Sequence, residues 1–133
     1  MATVPLELVA PERLLFSGDV ASVILPSVAG EMQVMPGHAP VIAVLEPGII
    51  TIDSGAGSSQ RLFVRGGLAE IRPDNISILA DYAVPVAELS PEVLDVEITS
   101  VETLVASATS DAGRMAASTR LMRLTELRMQ VLR

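Results

Sequence analysis

The 133-residue sequence contains no cysteine, no tryptophan and no lysine, and its only aromatic residues are Phe16, Phe63 and Tyr82. The absence of cysteine excludes disulfide bonds and thiol chemistry. Because half of the residues are nevertheless apolar, the core is predicted to consist of valine, leucine and isoleucine. A chain of this length can bury roughly two-thirds of its unfolded surface, which is enough for a core without covalent cross-links.

The charge balance also excludes classes of partner. The net charge is −7, and all nine basic residues are arginine. An acidic chain without a basic stripe is a poor nucleic-acid ligand, because phosphate neutralisation dominates that affinity, and a poor ligand for anionic lipid. No apolar run approaches the ~20 residues of a membrane-spanning helix, and the amino terminus has no signal-peptide pattern. We therefore expect a soluble, unexported chain that meets a membrane only through another protein.

Turn residues are concentrated in the first part of the chain. Eight of the nine glycines lie between residues 18 and 67, and eight of the nine prolines precede residue 86. Short β-branched runs separated by such turns predict an antiparallel β-sandwich or barrel. The predicted strands cover residues 6–9, 20–25, 32–35, 41–45, 48–53, 60–64, 68–72 and 75–80. Residues 54–59 and 73–74 are predicted hairpin loops, and Arg65-Gly66-Gly67 a turn or bulge.

The pattern becomes helical after Pro85, which predicts a β domain over residues 1–85 and a helical domain over 86–133. Ser90 followed by Pro91 is a helix start, with serine as N-cap and proline in the first turn. The predicted buried face of this helix runs from Val93 to Val105 and includes Leu104. A second helix is predicted from about Arg114. The first helix is acidic and the second is rich in arginine, which favours antiparallel pairing.

Methionines form a second stripe on the second helix. Met115, Met122 and Met129 recur every seven residues on the face opposite the leucines. Core filling and contact with a second body are both open interpretations of this stripe. In the second interpretation these three residues are partner contacts of the hairpin.

The segment from Gly30 to Pro40 contains two glycines, two prolines and the only histidine. It predicts a rigid surface loop that carries Glu31 and His38. A metal or catalytic role for His38 would need further histidine or cysteine ligands or a nucleophile, and the sequence provides neither. A loop histidine is the favoured interpretation. We expect no catalysis, no metal and no cofactor.

Several of these segments carry a family resemblance. Gly30-Glu31 followed by Pro36-Gly37-His38-Ala39-Pro40 resembles the signature of the bacterial epsilon subunit of F-type ATP synthases. The same order and spacing continue in four other segments, namely Phe16-Ser17-Gly18, Glu46-Pro47-Gly48, Gly66-Gly67-Leu68-Ala69-Glu70 and Leu79-Ala80-Asp81. One departure is Gln33, where the family usually has glycine.

The resemblance implies a flattened β-sandwich followed by a two-helix hairpin. It further implies a non-catalytic central-stalk subunit that binds the gamma subunit, rests on the c-ring with Glu31 and His38 facing the ring, and supports coupling of proton flow to ATP synthesis. The hairpin would reach the alpha/beta head, and the complex would hold the chain on the cytoplasmic face of the inner membrane. The alternative is a free-standing ligand-binding β-sandwich with a helical lid, for which the sequence nominates no pocket.

Some members of the family bind ATP through a six-residue motif at the start of the first helix. It consists of Ile or Leu, then Asp, two variable residues, Arg and Ala. The nearest match here is Leu94-Asp95-Val96-Glu97-Ile98-Thr99, with Ile98 in the arginine position. No arginine, lysine or histidine lies between Arg72 and Arg114. Since an arginine fork is the usual means of holding phosphate oxygens, the sequence predicts no useful ATP binding.

Overall fold

Eight strands and two long helices follow one another in the computed structural model, which describes residues 2–55 and 57–131. The strands are β1 (Val4–Ala10), β2 (Arg13–Val20), β3 (Ser22–Ser27), β4 (Gly30–Val34), β5 (Val41–Leu45), β6 (Gly48–Asp53), β7 (Ser59–Ile71) and β8 (Ile76–Pro85). A short 3-10 turn, Val86–Glu88, leads to α1 (Pro91–Ser107) and α2 (Asp111–Val131). The chain divides into two compact units, Met1–Val86 and Ala87–Arg133.

The strands form two layers that share β7 and β8. Residues 67–71 of β7 pair with β5, whereas residues 59–64 pair with β6. One layer therefore has the strand order β2-β1-β8-β7-β5, and the other has the order β4-β3-β6-β7-β8. Every pairing among the described strands is antiparallel except that of β1 with β8. The predicted sandwich and hairpin are confirmed, with this one parallel pair added.

The core between the layers is aliphatic, as predicted. In the first layer the cross-strand row Leu8, Ile78, Ala69 and Ala43 faces inward and is buried. The second layer contributes mainly valine, leucine and isoleucine, among them Val23, Leu25, Val34, Ile50, Ile52, Leu62 and Val64. Full burial of one such side chain stabilises the folded state by about 1.5–3 kcal/mol relative to leaving it exposed.

The predicted strand over residues 20–25 is wrong in its boundaries. Val20 ends β2 and Ser22 begins β3, which continues through Pro26 to Ser27. A proline within a strand is tolerated where its missing N–H is not needed for pairing. The carbonyl of Pro26 still takes part, because it accepts a hydrogen bond from the backbone N–H of Glu46 at 2.9 Å.

The segments 60–64 and 68–72 were predicted as separate strands, but they belong to the single long strand β7. The register against β8 shifts on both sides of Gly66, so the predicted bulge at Arg65-Gly66-Gly67 is confirmed. Gly67 has a φ of +142°, and a Cβ there would lie 2.2 Å from the carbonyl oxygen of Leu79. The bulge bends β7 without interrupting it, which lets one strand pair in both layers.

The predicted start of α1 is confirmed. The Oγ of Ser90 accepts a hydrogen bond from the backbone N–H of Val93 at 3.4 Å, and Pro91 opens the first turn. The predicted buried face is only partly right. Leu94 and Val101 are buried, but Leu104 is exposed, and the buried face also includes Glu97.

The second helix begins three residues earlier than predicted, at Asp111. The Oγ of Ser110 accepts a hydrogen bond from Gly113 N–H, and its carbonyl accepts one from Arg114 N–H, both at 3.0 Å. A serine cap contributes about 1 kcal/mol, which offsets the similar cost of a glycine within a helix. Gly113 therefore lies inside the first turn of α2 rather than before it.

The two helices form an antiparallel hairpin. Asp95, near the start of α1, accepts a hydrogen bond at 2.6 Å from Nε of Arg128, near the end of α2. Both side chains are partly exposed, so the pair contributes at most about 1 kcal/mol. Burial of the apolar residues of the hairpin contributes more to its stability. These residues are Leu94, Val101, Ala117, Leu124 and Leu127. Within residues 2–55 and 57–131, none of the helices has the length and apolarity needed to cross a bilayer.

The bulge leads to the first prediction. Replacing Gly67 with alanine forces a Cβ against the Leu79 carbonyl and leaves a non-glycine residue in a strained conformation. We expect the free energy of unfolding to fall by roughly 2–4 kcal/mol, measured by urea titration with circular dichroism.

Gly18→Ala is the matched control, because a Cβ there would meet the Phe16 ring at an ordinary 3.6 Å. It should change the free energy of unfolding by less than about 1 kcal/mol. Equal urea midpoints for the two variants would contradict this account of the bulge.

Candidate partner-binding surfaces

Glu31 and His38 both lie at the surface, but at different ends of β4. Glu31 is the second residue of the strand, opposite Pro26 on β3. His38 follows the strand, in the loop between β4 and β5. The strand rises by about 10 Å between Glu31 and Val34 alone. The structure therefore does not gather the two side chains into one cluster.

The loop that carries His38 is fixed by backbone hydrogen bonds. Gly37 N–H donates to the carbonyl of Pro73 in the β7–β8 turn at 3.1 Å, and His38 N–H donates to the carbonyl of Met35 at 3.2 Å. Gly37 has a φ of +84°, which a residue with a side chain rarely adopts. His38 Nδ1 lies 2.7 Å from the carbonyl of Ala39, and Pro40 completes the loop before β5 begins at Val41. The loop and the β7–β8 turn thus form one surface at this end of the sandwich.

Glu31 belongs to a different surface, formed by the β3–β4 turn. The Oγ of Ser27 donates to the carbonyl of Gly30 at 2.6 Å and accepts a hydrogen bond from Ala29 N–H at 3.2 Å. Val28 N–H donates to the carbonyl of Val44 at 2.9 Å, which joins this turn to β5. Glu31 therefore lies at the start of β4, directly after a turn that is fixed by hydrogen bonds.

An apolar row crosses the outer face of the first layer, and the sequence reasoning missed it. The strand registers place Leu14 opposite Val9, Val9 opposite Leu79, Leu79 opposite Leu68, and Leu68 opposite Val44. The four largest exposures are 59% for Leu14, 57% for Leu79 and 48% each for Leu68 and Val44. We call these five residues the outer row. With strands about 4.8 Å apart, it is about 19 Å long.

The outer face of the second layer is different. There the corresponding row runs through Gln33, Ile24, Thr51 and Arg61. Three of its four members are polar, as expected for a sheet face that meets water. The apolar composition of the outer row is therefore a property of one layer and not of the whole sandwich.

The outer row has an acidic rim. The next register line contains Ile42, Glu70, Ser77 and Glu7. Glu70 forms an ion pair with Arg72. On the other side Asp81 follows Leu79 by two residues on the same strand and is exposed. An apolar strip with an acidic rim fits a partner surface that is apolar at its centre and basic around it.

The predicted methionine stripe lies on the exposed face of α2. Met115, Met122 and Met129 are 72%, 61% and 67% exposed, whereas Ala117, Leu124 and Leu127 on the same helix are buried. The three methionines therefore do not fill the core of the helical hairpin. We call these three residues the methionine surface.

No group of three or more histidine, aspartate or glutamate residues that could hold a metal ion occurs in the described part of the chain. His38 has no second imidazole available anywhere in the sequence. The outer row and the methionine surface are apolar and exposed, which is typical of surfaces that bind other macromolecules.

Comparison with known proteins decides the family. A model described as ATP synthase, Delta/Epsilon chain, beta-sandwich domain matches residues 3–86. The ATP synthase epsilon chain of Parvibaculum lavamentivorans is 47% identical over 122 residues, which cover 92% of each chain. The chain belongs to the bacterial ATP synthase epsilon chain family.

Other relatives agree with this assignment to the epsilon family. The ATP synthase epsilon chain of Rhodospirillum rubrum is 39% identical over 116 residues, 87% of each chain. Members of the family are non-catalytic subunits, as predicted for this chain. The predicted alternative, a free-standing ligand-binding module, is set aside by this membership.

Solved structures support the fold. A chain in the Euglena gracilis mitochondrial ATP synthase, a structure described as OSCP/F1/c-ring, aligns with a TM-score of 0.73 and 23% identity over 98% of this chain and 82% of that chain. A chain of the Tetrahymena thermophila central stalk and c-ring aligns with a TM-score of 0.63 and 15% identity, over 94% of this chain and 96% of that chain.

The position of the ATP motif of some epsilon relatives lies on α1. Ile98, in the arginine position of that motif, is half-buried, and Asp95 is engaged by Arg128 at 2.6 Å. The surrounding helix carries Glu92, Glu97 and Glu102, which would repel a triphosphate.

We therefore expect calorimetric titration of the full chain with ATP and magnesium to give no binding at submillimolar concentration. A titration with magnesium alone supplies the baseline. A dissociation constant below the millimolar range would contradict this prediction.

Proposed function

We propose that this chain is the central-stalk epsilon subunit that joins the gamma subunit to the c-ring and so supports the coupling of proton flow to ATP synthesis. Membership of the epsilon family supports the general role. The single observation that carries the gamma contact is the outer row. In this proposal the chain is held at the cytoplasmic face of the inner membrane through the complex and not by insertion.

The outer row supports a lasting protein contact because it keeps apolar side chains in water on the outer face of the first layer, whereas the row on the outer face of the second layer is mostly polar. Contiguous exposed apolar patches on soluble domains usually mark interaction sites. Val28 and Ile42, at 53% and 67% exposure, extend the patch next to Val44. We assign this surface to the gamma subunit, whose contacting side would be apolar and framed by basic residues.

The rigid turns support the contact with the ring. Torque transfer from the c-ring to the stalk needs a body that resists shear, and a close-packed aliphatic sandwich provides one. Glu31 and His38 are candidates for ring-facing residues. Because they project from different ends of β4, each would meet a different part of the rotor. Polar contacts of this kind contribute more to the orientation of the partners than to their affinity.

The methionine surface supports a further contact, between the hairpin and the alpha/beta head. Methionine adapts its shape to irregular partner surfaces because it is unbranched and polarizable. Any regulatory effect of the hairpin would be independent of ATP binding to this chain, since the motif position holds Ile98.

The gamma contact is tested with the double variant Leu68→Thr, Leu79→Thr. Threonine retains strand propensity but removes apolar area at the centre of the outer row. We expect the affinity of the full chain for purified gamma subunit to fall by about 10- to 100-fold, equivalent to about 1.4–2.8 kcal/mol. Surface plasmon resonance measures the change.

The matched control is Gln33→Thr on the polar outer face of the second layer, which should bind gamma normally. The stability of all variants should stay within about 0.5 kcal/mol of the parent chain, because the sites are on the surface. Normal gamma binding by the double variant would contradict the assignment of the outer row to this interface.

Glu31 and His38 are tested separately in the assembled synthase. We expect Glu31→Ala and His38→Ala to change the free energy of unfolding by no more than about 0.5 kcal/mol each. ATP-driven proton pumping in inverted vesicles should fall relative to ATP hydrolysis. Gln33→Ala, which lies on β4 between the two sites, is the control.

The two single variants also report which end of β4 meets the rotor. A loss of coupling in only one of them assigns the ring contact to that end. A loss of stability accompanied by normal coupling in both would make these residues structural only.

A further inference from the structure

The methionine surface concentrates oxidisable sulfur on one helix face. Seven residues of α-helix rise by about 10.5 Å, so Met115, Met122 and Met129 follow one another over about 21 Å of α2. All three are more than half exposed. The other three of the six methionines are Met1, Met32 and Met35. Met32 is half-buried in β4, and Met35 is exposed in the loop after β4.

The two faces of α2 differ in chemistry as well as in exposure. The buried face uses alanine and leucine, Ala117, Leu124 and Leu127, which peroxides do not oxidise. The exposed face places a thioether at every second turn. Oxidation would therefore change the exposed face while leaving the apolar packing of the hairpin in place.

We propose that the methionine surface is a modification site at which a peroxide-class oxidant converts the three thioethers into sulfoxides. In each step a sulfur lone pair attacks one peroxide oxygen and the O–O bond breaks. With hydrogen peroxide, the sulfur gains the attacked oxygen and loses two electrons, the proton of that oxygen passes to the departing hydroxide, and the other peroxide oxygen leaves as water. Methionine sulfoxide is polar and can be reduced back enzymatically, so the change is reversible.

The consequence rests on the proposed contact between the hairpin and the alpha/beta head. A row of sulfoxides replaces an apolar stripe with polar groups that must be desolvated on docking. Oxidation therefore weakens docking, and docking in turn shields the sulfurs from oxidant. The methionine surface thus links the hairpin contact to the oxidant concentration around the complex.

The first experiment measures the order of oxidation. The full chain is treated with hydrogen peroxide, quenched with free methionine and analysed by peptide mass spectrometry. We expect Met115, Met122 and Met129 to oxidise several-fold faster than Met32, because the latter is half-buried. Oxidation of the three at the rate of Met32 or slower would overturn the proposal.

The second experiment measures the consequence. Peroxide-treated, quenched chain is bound to ATP synthase from which this subunit has been removed. We expect about tenfold weaker binding of the treated parent chain, the loss expected from one moderate interface contact. The triple variant with Met115→Leu, Met122→Leu and Met129→Leu is compared with its own untreated sample, and we expect peroxide treatment to leave its affinity unchanged, because leucine has no thioether to oxidise. A Met35→Leu variant should remain as sensitive as the parent.

The outcomes separate this proposal from the proposed function. Loss of binding by the treated triple leucine variant would place the sensitivity elsewhere and overturn the modification site. A second triple variant, with glutamine at the same three positions, imitates polarity without oxidation. Normal binding of that variant would refute the hairpin contact, while faster oxidation of the three methionines would still support the site's reactivity.

Discussion

The close approach of β7 and β8 at Gly67 is the constraint on which the rest of the sandwich depends. The backbone of Gly67 comes so near to the Leu79 carbonyl that a side chain does not fit. This contact sits at the bulge where β7 changes its partner from β6 to β5. Without the bend, one strand could not serve two layers, and the inner faces of those layers could not enclose a common core.

The same bend determines what the outer faces present. Alternation along each strand sends Ala69 and Ile78 inward, so Leu68 and Leu79 must point outward. The register across the bulge then aligns them with Val9 and Val44. A surface of this composition adds little to the stability of the isolated chain, since its area stays in water. The surface would contribute favourable free energy only when another chain buries it.

The sequence predicted the elements better than their connections. The turn residues at 54–59 and 73–74 predicted both hairpins, and the Ser90-Pro91 start of α1 is confirmed by its cap. Strand β2 was missed because Ser17, Gly18 and Asp19 follow one another without an apolar side chain and interrupt any alternating pattern. The start of α2 was misplaced because Gly113 was taken to end the loop before the helix, whereas the side chain of Ser110 caps a helix that begins at Asp111.

The outer row was also missed, for a different reason. It consists of single residues from five strands, and only the register brings them together. A local signal was present: Val41-Ile42-Ala43-Val44-Leu45 is apolar at every position, whereas a strand with one wet face should alternate. Exposed Val44 and Ile42 account for that departure. The methionine stripe was found because its period lies within one helix.

The parallel pairing of β1 with β8 has a consequence for the order in which the protein can fold during synthesis. Residues 6–9 at the start of the chain take residues 76–79 as neighbours. β1 is thus made well before its neighbour β8, and contacts so distant in sequence form slowly. Until β8 has been made, the edge of β1 that pairs with it is open to misplaced pairing or to a chaperone. The pairing of β1 with β8 therefore completes the sandwich only after the whole β unit has been made, whereas local pairs such as β1 with β2 can form earlier.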